Sequence, residues 1–148
     1  MGQDISGFGL TVNLLASNTL PVGATITHFA DDSDPLDMAS VKIADAAMGL
    51  NGDLITWAKA SPLTAVLNVI PGSPSDLTLG VLADANRVAA GKTSAQDEIT
   101  MTVIYQDGSV VTLRKGRITD FMPGKSVAGS SRLKTKAYGF VFEDKAGA

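Results

Sequence analysis

Cysteine is absent from these 148 residues. That excludes thiolate nucleophiles, sulfur-built zinc sites and disulfide staples together, and it fits a cytoplasmic origin. Histidine occurs once, at His28. A Ser-His-Asp relay or a histidine metal site needs partners that one imidazole on an alternating strand lacks. Aromatic residues make up 5% of the chain, few for a surface that stacks bases. No apolar run approaches the ~20 residues that cross a bilayer. The opening MGQDISGFGL has no basic region ahead of its apolar residues, unlike a secretory signal.

What is present is a chain long enough to bury roughly 68–70% of its unfolded surface, read as one domain over residues 1–148. Its charge is uneven. Residues 1–100 carry eleven acidic side chains against four basic ones, a net of −7; residues 101–148 carry eight basic against four acidic, a net of +4. Such a split favours head-to-tail self-association, the acidic part of one copy meeting the basic part of the next.

Turn signals divide the chain into short strands. Residues 8–16 and 22–30 read as two strands about a Ser17–Pro21 turn, and Asp31–Pro35 interrupts the second. Residues 38–47 and 54–59 pair as a long hairpin, with Asn51-Gly52 supplying the positive φ of its turn. A further strand runs from Leu63 to Ile70. One helix follows: Ser73 caps it, Pro74 suits its first position, Asp76 complements its dipole, and Gly91 closes it. Leu77, Val81, Ala85 and Val88 recur at helical spacing and predict its buried stripe. Ile99–Tyr105 alternates, Asp107-Gly108 turns the chain into Val110–Leu113, and residues 117–122 and 133–143 complete the set. The last of these carries Lys134, Lys136, Tyr138, Phe140 and Phe142 on one face. Roughly seven strands and one helix predict a mainly β, α+β fold: an antiparallel β-sandwich or barrel with a flanking α-helix and an extended hairpin.

Few residues suggest chemistry. Asp31, Asp32, Asp34 and Asp37 could begin a calcium site, but the segment lacks the glycine and terminal glutamate of an EF-hand loop, and aspartates before a proline are ordinary turn residues. Gly124-Lys125-Ser126 fails as a phosphate loop, because Thr119 stands where the first glycine is required. Arg132, Lys134 and Lys136 ahead of Tyr138 and Phe140 read as a solvated strand face or a subunit contact.

Three stretches carry a family resemblance: DPLDMASVKIADAAMGLNGDLITWAKASPLTAVLNVIPGSPSD, LADANRVAAGKTSAQDEITMTVIYQDGSVVTL and GRITDFMPGKSVAGSSRLKTKAYGFVFE. Over residues 30–143 the chain resembles phage tail tube proteins of the contractile-tail type. The resemblance implies a structural virion protein and not an enzyme. Six copies would form a ring, and rings would stack as the hollow inner tube through which the genome passes without specific binding. It implies no cofactor, no metal and no membrane, with sheath, baseplate and tail terminator proteins as partners besides the chain itself. The protein would be made in the bacterial host cytoplasm and end in the virion tail. Candidate ring and stacking contacts are Asp45, Met48, Gly49, Leu50, Asn51, Gly52 and Asp53 on the hairpin, with Arg132, Lys134 and Lys136. The competing reading is a monomeric β-sandwich binding module that holds a ligand or metal ion near Asp31–Asp37.

Overall fold

The computed structural model describes residues 9–29, 35–127, 129 and 133–147. Alternation of apolar and polar residues builds most of it, because successive side chains on a strand point to opposite faces. β1 (Thr11–Ala16) buries Val12, Leu14 and Ala16, and β2 (Leu20–Ile26) buries Ile26. β3 (Leu36–Met38) and the isolated pair β4 (Ala44–Met48) and β5 (Leu54–Ala58) come next. β6 (Leu63–Val69) then buries Ala65, Leu67 and Val69. After helix α1 (Pro74–Ala85), β7 (Ile99–Ile104) buries Ile99, Met101 and Val103. β8 (Val110–Asp120) and β9 (Lys136–Gly147) close the chain.

Seven of these strands form one antiparallel sheet in the order β2-β1-β7-β8-β9-β6-β3. Beyond β2, Phe29 bridges Val69, and the Ile70 N–H donates to the His28 carbonyl at 3.0 Å. The β2 end of the ribbon is thereby tied to β6, and the sheet curls around a core of alternating side chains. Tyr138, Phe140 and Phe142 of β9 are the largest residues in that core.

The strands expected over 22–30 and 133–143 are displaced to Leu20–Ile26 and Lys136–Gly147, and three further elements depart from the sequence expectation. The predicted 38–47 strand is divided: Met38 pairs with Ala65 in the large sheet, and the hairpin strand begins only at Ala44. Residues 110–122, read as two strands, are one bent strand. Lys115 takes a left-handed φ of 55°, and the register with β7 shifts between Ile99 and Met101. This bulge inserts an extra residue and bends the strand. The adjacent Gly116 is required there, since a Cβ on it would stand 2.2 Å from Cδ1 of Phe142. Gly116→Ala is expected to cost about 2–3 kcal/mol through overpacking, measured as a lower denaturant midpoint.

The helix is the third. Ser73 Oγ accepts the Asp76 N–H at 3.2 Å and Pro74 takes the first turn as expected, but Asn86, not Gly91, ends it. Leu77, Val81 and Val88 are not its buried stripe. They are 64%, 60% and 70% exposed, whereas Ser75, Asp76, Leu79, Leu82 and Ala83 face the sheet. Polar anchors set this roll. Ser75 Oγ accepts the Thr27 and His28 N–H groups at 3.3 Å, and Asp76 is held by β9. Leaving those buried groups unsatisfied would cost more than exposing Leu77 and Val81.

Candidate assembly surface

The β4–β5 hairpin stands apart from the sheet. Its register runs from Ala44 opposite Ala58 to Met48 opposite Leu54, and the Lys59 N–H extends it by donating to the Ile43 carbonyl at 2.9 Å. One face carries Met48, Leu54 and Thr56; the other carries Ala47, Ile55 and Trp57. Both faces are open: every residue from Leu50 to Ala60 is exposed. A two-stranded hairpin is marginally stable alone in water, and this one exposes Met48, Leu50, Leu54, Ile55 and Trp57.

The turn shapes the tip. The Gly52 N–H donates to the Gly49 carbonyl at 3.0 Å, and the Gly49 N–H to the Asp53 carbonyl at 2.7 Å. Gly52 has φ 87° while Leu50 and Asn51 stay at negative φ. This is a tight turn closed by a left-handed glycine, with Leu50 fully exposed and Asp53, three residues on, exposed as well. Lower on the hairpin, Asp45 pairs with Lys42 Nζ at 3.0 Å and also accepts the Ala46 N–H.

The basic candidates separate. Arg132, together with Asp31, Asp32 and Asp34, lies outside the described residues. Asp37 sits on β3 opposite Val66. Among the described residues, no group of three or more His, Asp or Glu side chains could hold a metal ion. Lys134 is exposed and donates its N–H to the Ser126 carbonyl at 2.7 Å. Lys136 corrects the reading of a solvated face. It points into the protein, 9% exposed, with Nζ 3.3 Å from Asp76 Oδ1 and over the Tyr138 ring.

That carboxylate is a hub. Asp76 Oδ1 also accepts the Tyr138 hydroxyl at 2.7 Å, and Oδ2 accepts the Gly72 N–H at 2.8 Å. Burial alone would raise its pKa; the Gly72 N–H, the Tyr138 hydroxyl and Lys136 outweigh that and hold it below the ordinary value. The Tyr138 hydroxyl is pushed well up by burial and by the adjacent carboxylate. The ion pair therefore fixes the start of α1 to β9.

A second buried carboxylate, Asp97, was not singled out from the sequence. It is fully buried and has no ion pair among the described residues. Oδ1 accepts the Asn18 and Thr19 N–H groups at 2.7 and 2.9 Å. Oδ2 accepts the Thr19 hydroxyl and, at 2.8 Å, the Asn86 amide. Burial raises this carboxyl too, and these donors together lower it below the ordinary value. Asp97 thus ties the β1–β2 turn to the end of α1. His28, with Nδ1 3.0 Å from Ser75 Oγ, belongs to the same packing of helix on sheet. All three are architectural contacts.

Comparison with known proteins places this architecture among tail proteins. A family model described as "Tail fiber protein gp32" matches residues 3–146. No curated protein sequence matches the chain. Among solved structures, a chain of the anti-feeding prophage baseplate, 6-fold symmetrised, aligns with TM-score 0.62 and 16% identity over 100% of this chain and 97% of its own. A chain of the anti-feeding prophage tube terminating cap aligns with TM-score 0.56 and 9% identity, covering 100% and 93%. A chain from the sheath/tube terminator of an extracellular contractile injection system gives 0.57 and 12%, covering 99% and 98%. At such identities the likeness is one of fold.

Proposed function

The chain belongs to the tail fiber protein gp32 family, and from this membership we propose that it is a non-catalytic structural subunit of a hollow tail tube. Six copies close a ring, rings stack axially, and the genome passes through the lumen. Sheath, baseplate and terminator proteins are its partners, and its place is the tail of a virion or phage-like particle. The family's description names a tail fiber, so membership supports a tail component and does not itself speak for a tube. The observation that carries the finer reading is the β4–β5 hairpin, with apolar side chains on both faces and every residue from Leu50 to Ala58 exposed. Among the described residues of one copy nothing covers those side chains, whereas a closed head-to-tail ring repeats one contact through every copy. The fold shared with chains of a six-fold baseplate and of two tube-end assemblies supports the symmetry. A lumen that lets nucleic acid slide should not grip phosphate, and a net charge of −3 suits that.

Trp57 gives a direct optical report, since it is the chain's one tryptophan and is half exposed on the hairpin. Its emission is expected to shift to the blue as concentration rises and ring particles appear in negative stain. Emission unchanged while rings form would place the hairpin outside the ring contact.

A further inference from the structure

At the foot of the hairpin lies a groove of about 450 Å³, with Ala60, Pro62 and Val141 as its apolar lining. Three charged side chains line it: Lys115, Arg117 and Glu143. The β8 bulge is what brings the two cations there. Leu113 and Gly116 both face inward, so the inserted residue leaves Arg114, Lys115 and Arg117 on the outer surface. Arg114 is engaged by Asp144 at 2.7 Å, and Lys115 adds its field to that same carboxylate. Arg117 has no ion pair among the described residues. The groove therefore combines an apolar wall with a net charge of +1, which one incoming carboxylate balances.

The hairpin tip has the matching features. Leu50 is a fully exposed apolar knob, and Asp53 of the same turn has no ion pair among the described residues. A chain cannot bring its own tip to this groove. Each hairpin strand has five residues, which at roughly 3.3 Å per residue puts the tip about 17 Å from the strand ends.

We propose that this groove is the receptor for the hairpin tip of a second copy, Leu50 entering against Pro62 and Val141 while Asp53 pairs with Arg117 and Lys115. This rests on the self-assembling reading above and names the surface that receives the hairpin. A contact of this kind joins the acidic part of one copy to the basic part of the next, and its charge pairing sets partner and register more than affinity. It also makes assembly salt-sensitive, because an exposed pair is screened.

The absence of cysteine makes the test clean. Full-length Asn51→Cys and Ala60→Cys chains are mixed, imaged for particles and oxidised, so that any disulfide-linked dimer reports those two positions. The 51–60 heterodimer is expected to dominate over 51–51 and 60–60 dimers. Adding Asp53→Lys to the Asn51→Cys chain should abolish it, and Arg117→Asp on the partner should restore it. Rings that form without the 51–60 crosslink would overturn this receptor and leave the tube reading standing. A crosslink that Asp53→Lys leaves undiminished would overturn the ionic pairing. A protein that gives neither particles nor crosslinks removes the tube reading and this inference together.

Discussion

Replacing Lys136 with alanine is expected to destabilise the protein by about 3–5 kcal/mol, because it leaves the Asp76 carboxylate buried without its cation. In thermal unfolding that is a fall of roughly 10 °C or more for a chain of this size. Lys136 and Asp76 side chains are 11% and 3% exposed, so solvent does little to relieve the loss. The expected consequence is local as well as global: α1 loosens from β9, since Asp76 is the point at which its first turn is held. Pairing Lys136→Met with Asp76→Asn should recover part of the loss, because neither variant residue then carries a lone buried charge. A Lys136→Ala protein with an unchanged melting temperature would refute the role assigned to the pair.

Asp97→Ala is expected to cost at least ~3 kcal/mol. The two N–H groups, the Thr19 hydroxyl and the Asn86 amide would lose one shared acceptor, and hydrogen bonds to a charged group contribute roughly 1.5–3 kcal/mol each. Asp97→Asn keeps the shape but presents a donor where an acceptor is needed, so it should recover little. Acid should act in the same direction. Both Asp76 and Asp97 have folded pKa values below the ordinary carboxylate value of about 3.9. Their contribution is therefore fully present above that value and is lost as the pH falls through the depressed folded values. Denaturant midpoints should be flat near neutrality and drop below about pH 4. In Asp97→Asn the acid drop should be smaller than in the wild type.

Much of this architecture was legible because strand alternation is a local signal. Val12-Leu14-Ala16 and Ile99-Met101-Val103 announce their buried faces, and Ser73-Pro74 with Asp76 marks the helix start. The hairpin about Asn51-Gly52 was legible for the same reason, its turn chemistry being written in two adjacent residues. What was not legible depends on contacts distant in sequence. The apolar spacing of Leu77, Val81 and Val88 gave the wrong helix face because Ser75 bonds to Thr27 and His28, just past β2, and Asp76 to β9, which no local window contains. The β8 bulge hides in a lysine at positive φ, a conformation that glycine usually advertises. Lys136 is the instructive error. It shares strand parity with Tyr138, Phe140 and Phe142, and three core aromatics should have placed it inside, in need of an acidic partner. Asp97 carried no signal, because its donors are backbone and neutral side chains of no distinctive pattern.

The tube account is tested most directly by negative-stain imaging of the purified wild-type chain across a concentration series. Hollow six-fold rings and short stacked tubes are expected, growing in number with concentration. Small, uniform monomers at every concentration would contradict it.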